Sequence, residues 1–220
     1  WEGTCLGIPE QVDRYRWLTY QTGKAGGTKG GPRPLGEPGS RFEYNDVRIN
    51  QLSLALLHLF KRPLPDVFEE FFRKPLGCLD EFQWVGYEQG WTQVNGQRMM
   101  SVPGGSHWGG GVSISAMDQA LIGLMLMGNG NYKGRQILSQ KWLQMMQQPC
   151  EVAPYYGYLI WLNHEGSLFK DAPLSSWFAI GAGSSITWVD PTLELVCIIR
   201  WIDAAKTNDC IAHIMRALKG

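Results

Sequence analysis

The sequence predicts an α+β fold, with helices first, then an antiparallel meander of strands, then one last helix. Three observations predict it. The stretch DVRINQLSLALLHLFKR sets Val47, Leu54, Leu57 and Phe60 near one face at helical spacing. Beyond residue 150, the runs YGYLIWLN, WFAIGAGSSITWVD and LELVCIIRW have the β-branched and aromatic content of strands. A final amphipathic stretch runs from about Asn208 to Leu218.

The elements follow in order. We read one domain in three stretches: 1–40 loop-rich, 41–150 mainly helical, and 151–220 an antiparallel sheet with the C-terminal helix. The glycines and prolines of TGKAGGTKGGPRPLGEPGS make a surface loop, and Lys29 after Thr28 breaks the spacing of a phosphate-binding loop. Asp46 (or Asn45) is a natural N-cap for the first helix, its side-chain oxygen accepting from free N–H groups of the first turn. A second helix, LPDVFEEFFRK, has Pro65 in its first turn and is stopped by Pro75-Leu76-Gly77. FQWVGY is strand material, and WTQV and QRMMSV pair across a tight Asn95-Gly96 turn. Ser115 and Asp118 form a capping box ahead of QALIGLMLMG. GNGNYKG then turns the chain, Ser139 caps a short helix through Trp142 and Met145, and Asp190-Pro191-Thr192 joins the last two strand runs.

Composition narrows the function classes. The 220 residues are 44% hydrophobic and 18% charged, as in a folded domain rather than a disordered one. Twenty basic residues balance twenty acidic ones, so no basic excess argues for nucleic acid, and the longest apolar runs are too short for a membrane span. The five cysteines, at 5, 78, 150, 197 and 210, are scattered and odd in number, which reads as free thiols. The four histidines lack HxxxH or HExxH spacing, so neither metal nor cofactor is implied. The ten tryptophans suit either scattered core and rim positions or an aromatic-lined cleft.

The order of pieces resembles the serine β-lactamase-related family, which groups class C β-lactamases, penicillin-binding DD-peptidases, family VIII esterases and 6-aminohexanoate-dimer hydrolase. PGSRFEYNDVRIN is similar to its turn and Y-x-N segment. GGSHWGGGVSISAMDQALIGLMLMGNG is similar to the glycine-rich approach to a long helix, and YGYLIWLN to the strand after it. FAIGAGSSITWVDPTLELVCIIRW is similar to the strand pair carrying K-T-G or H-x-G. The resemblance implies a β-lactamase/transpeptidase-like fold, an antiparallel sheet flanked by helices, lacking here the N-terminal strands and the S-x-x-K helix. It also implies acyl transfer to a serine set beside a lysine, with an ester or amide as small-molecule substrate.

Under that resemblance, Tyr44 is the acid/base of the Y-x-N position. Its phenol, with an ordinary pKa of about 10, needs donor or cationic neighbours to act as a base at neutral pH. The residues alone also allow a core tyrosine ahead of a capped helix. Asp46 replaces the family's asparagine and would disfavour a phenolate nearby, unless spent as a cap or paired with Arg41 or Arg48; Asn45 offers an amide instead. Gly181, Ala182 and Gly183 take the K-T-G position without its cation, which points to neutral esters or amides. The Ser184 N–H is the candidate oxyanion donor; a bulged strand edge is the plain alternative. His107 and Trp108 form a cleft wall or a packing pair.

Ser167-Leu-Phe-Lys170 is the one S-x-x-K in the chain, and it lies in a polar loop, so we reject it as the nucleophile. In the resembled family, S-x-x-K precedes the segment matching Trp1. The expectation is therefore an N-terminal segment of the same domain that brings the serine and a strand to pair with LELVCIIRW. The chain starts at Trp1 with no signal-like segment, and relatives are both cytoplasmic and exported, so the compartment is open. The rival readings are a non-catalytic or truncated member binding a peptidoglycan-like ligand and, further off, a Trp-rich carbohydrate module.

Overall fold

A computed structural model describes residues 37, 39–40, 42, 44, 46–86, 90–101 and 111–220, apart from the side chains of residues 46–48 and 182. The expected loop at the start of the chain, Asn45, His107 and Trp108 lie outside the described residues. The chain divides into two compact units, Trp1–Lys74 with Asp80–Ser115, and Pro75–Leu79 with Ala116–Gly220.

In the first unit, α1 spans Asp46–Phe60. Asp46 is its first helical residue rather than the residue before it, where an acid still favours the helix dipole. The inward face is Asn50, Ser53, Leu54 and Leu57, spaced as i, i+3, i+4, i+7, while Phe60 is exposed. The second helix starts as α2, Leu64–Phe68, with Pro65 in its first turn. It continues through a π-turn, Glu69–Arg73, into a single turn, α3, Lys74–Leu76, where the chain passes at Pro75 into the second unit. The π-turn has a cause in the sequence. Pro75 offers no N–H and its ring crowds the carbonyl four residues back, so the helix widens just before it. Gly77, at φ 71°, takes the left-handed conformation that follows the helix.

Short strands complete this unit. β1 (Gln83–Trp84) pairs antiparallel with β4 (Val112–Ser113), and β2 (Trp91–Val94) with β3 (Gln97–Met100). The second pair turns at Asn95 and Gly96, both with positive φ, as the sequence predicts. Leu57, Leu64, Val67, Val94 and Met99 form the core, with Leu54 and Trp84 packed against it. Phe68 meets Trp84 and Phe82 edge-on, and the buried Arg73 lies 4.5 Å over the Phe82 ring while pairing with Glu69 at 2.6 Å.

The second unit holds helices on both faces of a four-stranded antiparallel sheet in the order β10-β9-β8-β7. These strands are β7 Trp161–Leu162, β8 Trp177–Gly181, β9 Ser185–Asp190 and β10 Leu195–Ile199. Period-two alternation gives each face its own core. Phe178, Ile186 and Trp188 pack on Ile211, Ile214 and Met215 of α6, Thr207–Lys219. Trp177 and Val189 on the other face meet Leu126 and Met127 of α4, Ala116–Met127, and Met146 of α5, Gln140–Met146. Each large apolar side chain so buried is worth about 1.5–3 kcal/mol. Gly123 lets α4 lie close on β10: a β-carbon there would come 2.5 Å from Val196 Cγ1. Ser139 caps α5, its hydroxyl accepting from the Trp142 N–H at 3.1 Å.

Two strand expectations change. WFAIGAGSSITWVD is not one run but a hairpin, β8 and β9, folded at Ala182–Ser184. Only Trp161–Leu162 of YGYLIWLN is strand, because Leu159 has φ 59° and the Gly157 N–H turns back to the Ile160 carbonyl at 2.9 Å. The stretch read as mainly helical also contains three two-stranded pairings, one of them the small β5–β6 hairpin at Asn131–Tyr132 and Arg135–Gln136.

Candidate active site

Tyr44 lies in irregular backbone two residues ahead of α1 and is 48% exposed. That removes the core-tyrosine alternative. A phenol at the mouth of a helix, open to solvent, is accessible to a ligand.

Gly181, Ala182, Gly183 and Ser184 come together at the tip of the β8–β9 hairpin. Gly181 is the last residue of β8 and is opposite Ser185, so three residues close the loop as a 3-10 turn. Gly183 has φ 70° and Ser184 has φ 52°, two consecutive left-handed residues that reverse the chain. Turns of this kind use their N–H groups in i→i+3 bonds, so a hydrogen bond from the Ser184 N–H to a substrate oxygen competes with one inside the turn.

Side chains that sequence reasoning missed brace this tip. The Gln119 amide of α4 donates to Thr187 Oγ1 of β9 at 2.6 Å, and Arg200 donates to Gln119 Oε1. Trp201, just after β10, lies against the α-carbon of Gly183. None of these long-range contacts leaves a signal in spacing, since Gln119 and Thr187 are far apart along the chain.

The rejected S-x-x-K is structural. Ser167 and Lys170 are exposed in a loop, and the residues between them, Leu168 and Phe169, pack on the sheet. Fully buried Asn163 organises that loop. Its amide donates to the carbonyls of Phe169, Ala172 and Pro173, each at 3.0 Å, and its oxygen accepts from the N–H groups of Leu168 and Phe169. Among the described residues no three of His, Cys, Asp and Glu gather to hold a metal ion, and no helix is long and apolar enough to cross a membrane.

With helices on both faces of an antiparallel sheet, and Tyr44 ahead of the first helix, the chain has the α+β fold of the β-lactamase type. The particular likenesses are to solved structures. One is a Bacillus anthracis protein provisionally assigned as a 6-aminohexanoate-dimer hydrolase, with TM-score 0.66 and 17% identity over 85% of this chain and 47% of that one. Another is a protein of Bacteroides dorei DSM 17855, provisionally assigned as a β-lactamase, with TM-score 0.53 and 18% identity over 74% of this chain and 51% of that one. The chain thus spans about half the length of the structures it matches. No family model matches it, and no curated protein matches it.

Proposed function

We propose that this chain is the C-terminal part of a serine hydrolase domain that cleaves a neutral ester or amide through an acyl-enzyme. The carrying observation is the shared fold over 85% of the chain with a protein named as a hydrolase. In the proposed reaction a serine oxygen, from S-x-x-K outside this chain, bonds to the substrate carbonyl carbon. The alcohol or amine leaves with a proton relayed through Tyr44. Water then attacks the acyl-serine, the acid departs, and the serine regains its proton. Asp46 orders the mouth of α1, and the Ser184 N–H stabilises the oxyanion in exchange for a turn bond. Asn45, His107, Trp108, Gly181, Ala182 and Gly183 would line the substrate cleft.

One edge of the sheet supports the N-terminal segment as partner. β10 pairs with β9 on one side, and no strand pairs its other side among the described residues. All five of its residues are half-buried, although they read Leu-Val-Cys-Ile-Ile, whereas β9 is buried from its second residue on. An apolar edge of that kind is a template for another strand. In this reading the N-terminal segment supplies both that strand and the nucleophile.

The test is a fluorophosphonate probe on the protein as isolated from its source, followed by peptide mapping and a chromogenic ester assay. The expected label falls on a serine of an S-x-x-K outside these 220 residues, and Tyr44→Phe lowers ester turnover by about 100-fold or more. A label on Ser167, or full turnover without the Tyr44 hydroxyl, overturns the assignment. A second reading, a non-catalytic cleft for a peptidoglycan-like ligand, is favoured by the exposed, loop-bound position of the chain's one S-x-x-K. Absence of both label and turnover selects it.

A further inference from the structure

We infer that Trp201 is a specificity-determining residue, its indole serving as the platform for the apolar acyl part of a neutral substrate beside the Gly181–Ser184 turn. The inference rests on the hydrolase reading for the chemistry at that turn, and it adds the substrate class.

Three independent features single out this side chain. The first is the close approach. A β-carbon at Gly183 would overlap Cε3 and Cζ3 of Trp201 and lie 3.4 Å from Cδ2, so only glycine admits the indole there. The second is exposure. Although seated on the turn, Trp201 is 78% exposed, so most of its large apolar ring is left uncovered by the residues of this chain. An alkyl chain laid over that ring removes apolar surface of both partners from solvent. The third is the backbone. Trp201 has φ 56°, a left-handed conformation that bulky residues rarely adopt, and such outliers persist where the surroundings hold them. The hold is visible one residue earlier, where Arg200 donates to Gln119, itself bonded to Thr187 of β9. An exposed ring kept at a backbone cost, against the one tip where the substrate carbonyl is proposed to sit, is placed for a ligand.

The local chemistry sets the ligand class. Gly181, Ala182 and Gly183 bring no charge to the turn itself, and the guanidinium of neighbouring Arg200 is directed to Gln119 Oε1 of α4. An uncharged acyl chain of several carbons fits a neutral turn beside an aromatic face. Its carbonyl lies at the turn and its tail on the indole.

The test uses the complete protein from its source and 4-nitrophenyl esters from acetate to octanoate. In the wild type, kcat/KM should rise with chain length. Trp201→Ala should lower the hexanoate-to-acetate ratio of kcat/KM by about tenfold, the order expected for a few methylenes losing an apolar wall, and mainly through KM. Trp201→Phe should keep most of the ratio. Gly183→Ala, which displaces the ring without removing it, should lower the ratio as Trp201→Ala does. An unchanged ratio in Trp201→Ala overturns the inference, as does a ratio that follows only the fall in thermal midpoint across the variants. If the wild type hydrolyses no ester, the hydrolase reading fails separately. Calorimetric titration with 4-nitrophenyl hexyl ether then decides the platform: a tenfold weaker Kd in Trp201→Ala upholds it, and equal affinity or no binding to the wild type overturns it.

Discussion

The two units treat their buried polar groups differently. In the sheet unit, fully buried Asp190 accepts from Ser175 Oγ at 2.9 Å, Ser176 Oγ at 2.6 Å, and the N–H groups of Thr192 and Leu193, each at 2.9 Å. Ser176 in turn accepts from the indole N–H of core Trp188 at 2.9 Å. Asn163 is as fully bonded. In the first unit, buried Asn50 has no partner for either amide atom among the described residues, and neither has Ser101 Oγ nor the Trp84 indole N–H. In the sheet unit the Trp177 indole N–H alone shares that condition. The difference teaches where each unit stands without help. Asp190 and Asn163 draw their partners from neighbouring turns, so at these two sites the sheet unit satisfies its own interior. Unsatisfied buried polar groups cost about 1–3 kcal/mol each, and among the described residues of the first unit Asn50, Ser101 and Trp84 carry such groups.

The largest effect that would break this contrast is at Asp190. Asp190→Ala removes the acceptor of two hydroxyls and two backbone N–H groups, the Ser176 hydroxyl among them being buried, and should cost about 3–5 kcal/mol, seen as a lower urea midpoint. A loss below about 1 kcal/mol would mean that the turn holds without its carboxylate.

The contrast sharpens with one substitution made twice. Asn163→Leu removes five hydrogen bonds and should destabilise by about 3 kcal/mol, loosening residues 164–173 first in hydrogen exchange. Asn50→Leu replaces an unpartnered amide by an apolar group of similar size and should change stability by less than about 1 kcal/mol, or raise it. Equal losses at the two positions would show that Asn50 has a partner after all, and the difference between the units would disappear.

The smallest effect lies on the shared core of β10 and α6. Burial first, and then the neighbouring Cys210, raise the pKa of the Cys197 thiol above its ordinary value. The folded state therefore keeps this proton to higher pH than the unfolded chain does. Its contribution to stability is complete below the ordinary thiol pKa of 9.0 and is lost as pH rises through the folded value. Urea midpoints of the wild type should fall more steeply above pH 9 than those of Cys197→Val. Parallel curves would remove the thiol from the alkaline loss.

Much of the local structure was legible because its causes lie within a few residues. The Asn95-Gly96 hairpin, the Ser139 cap and the amphipathic stretch that became Thr207–Lys219 each depend on short-range turn chemistry or a 3.6-residue period. Likewise, Ser167-Leu-Phe-Lys170 could be set aside from its polar surroundings, and it does lie in a loop. The division of WFAIGAGSSITWVD into two strands was not legible. Its apolar content continues across the turn, and nothing in a local pattern reports that Ser184 takes a positive φ. For Tyr44 the spacing left two readings open, and only its exposure removed the buried one.

The sequence by itself determined the α+β class, the main helices, the tight turns and the order of elements that pointed to a β-lactamase-type fold. These follow from periodicity and backbone preference, which act over one or two turns of chain. Only the tertiary structure decided that Trp201 lies on Gly183, that Gln119 links Arg200 to β9, and that Asp190 and Asn163 are buried hubs. Those outcomes depend on close packing and on desolvated polar groups finding partners, and both arise only once distant segments meet.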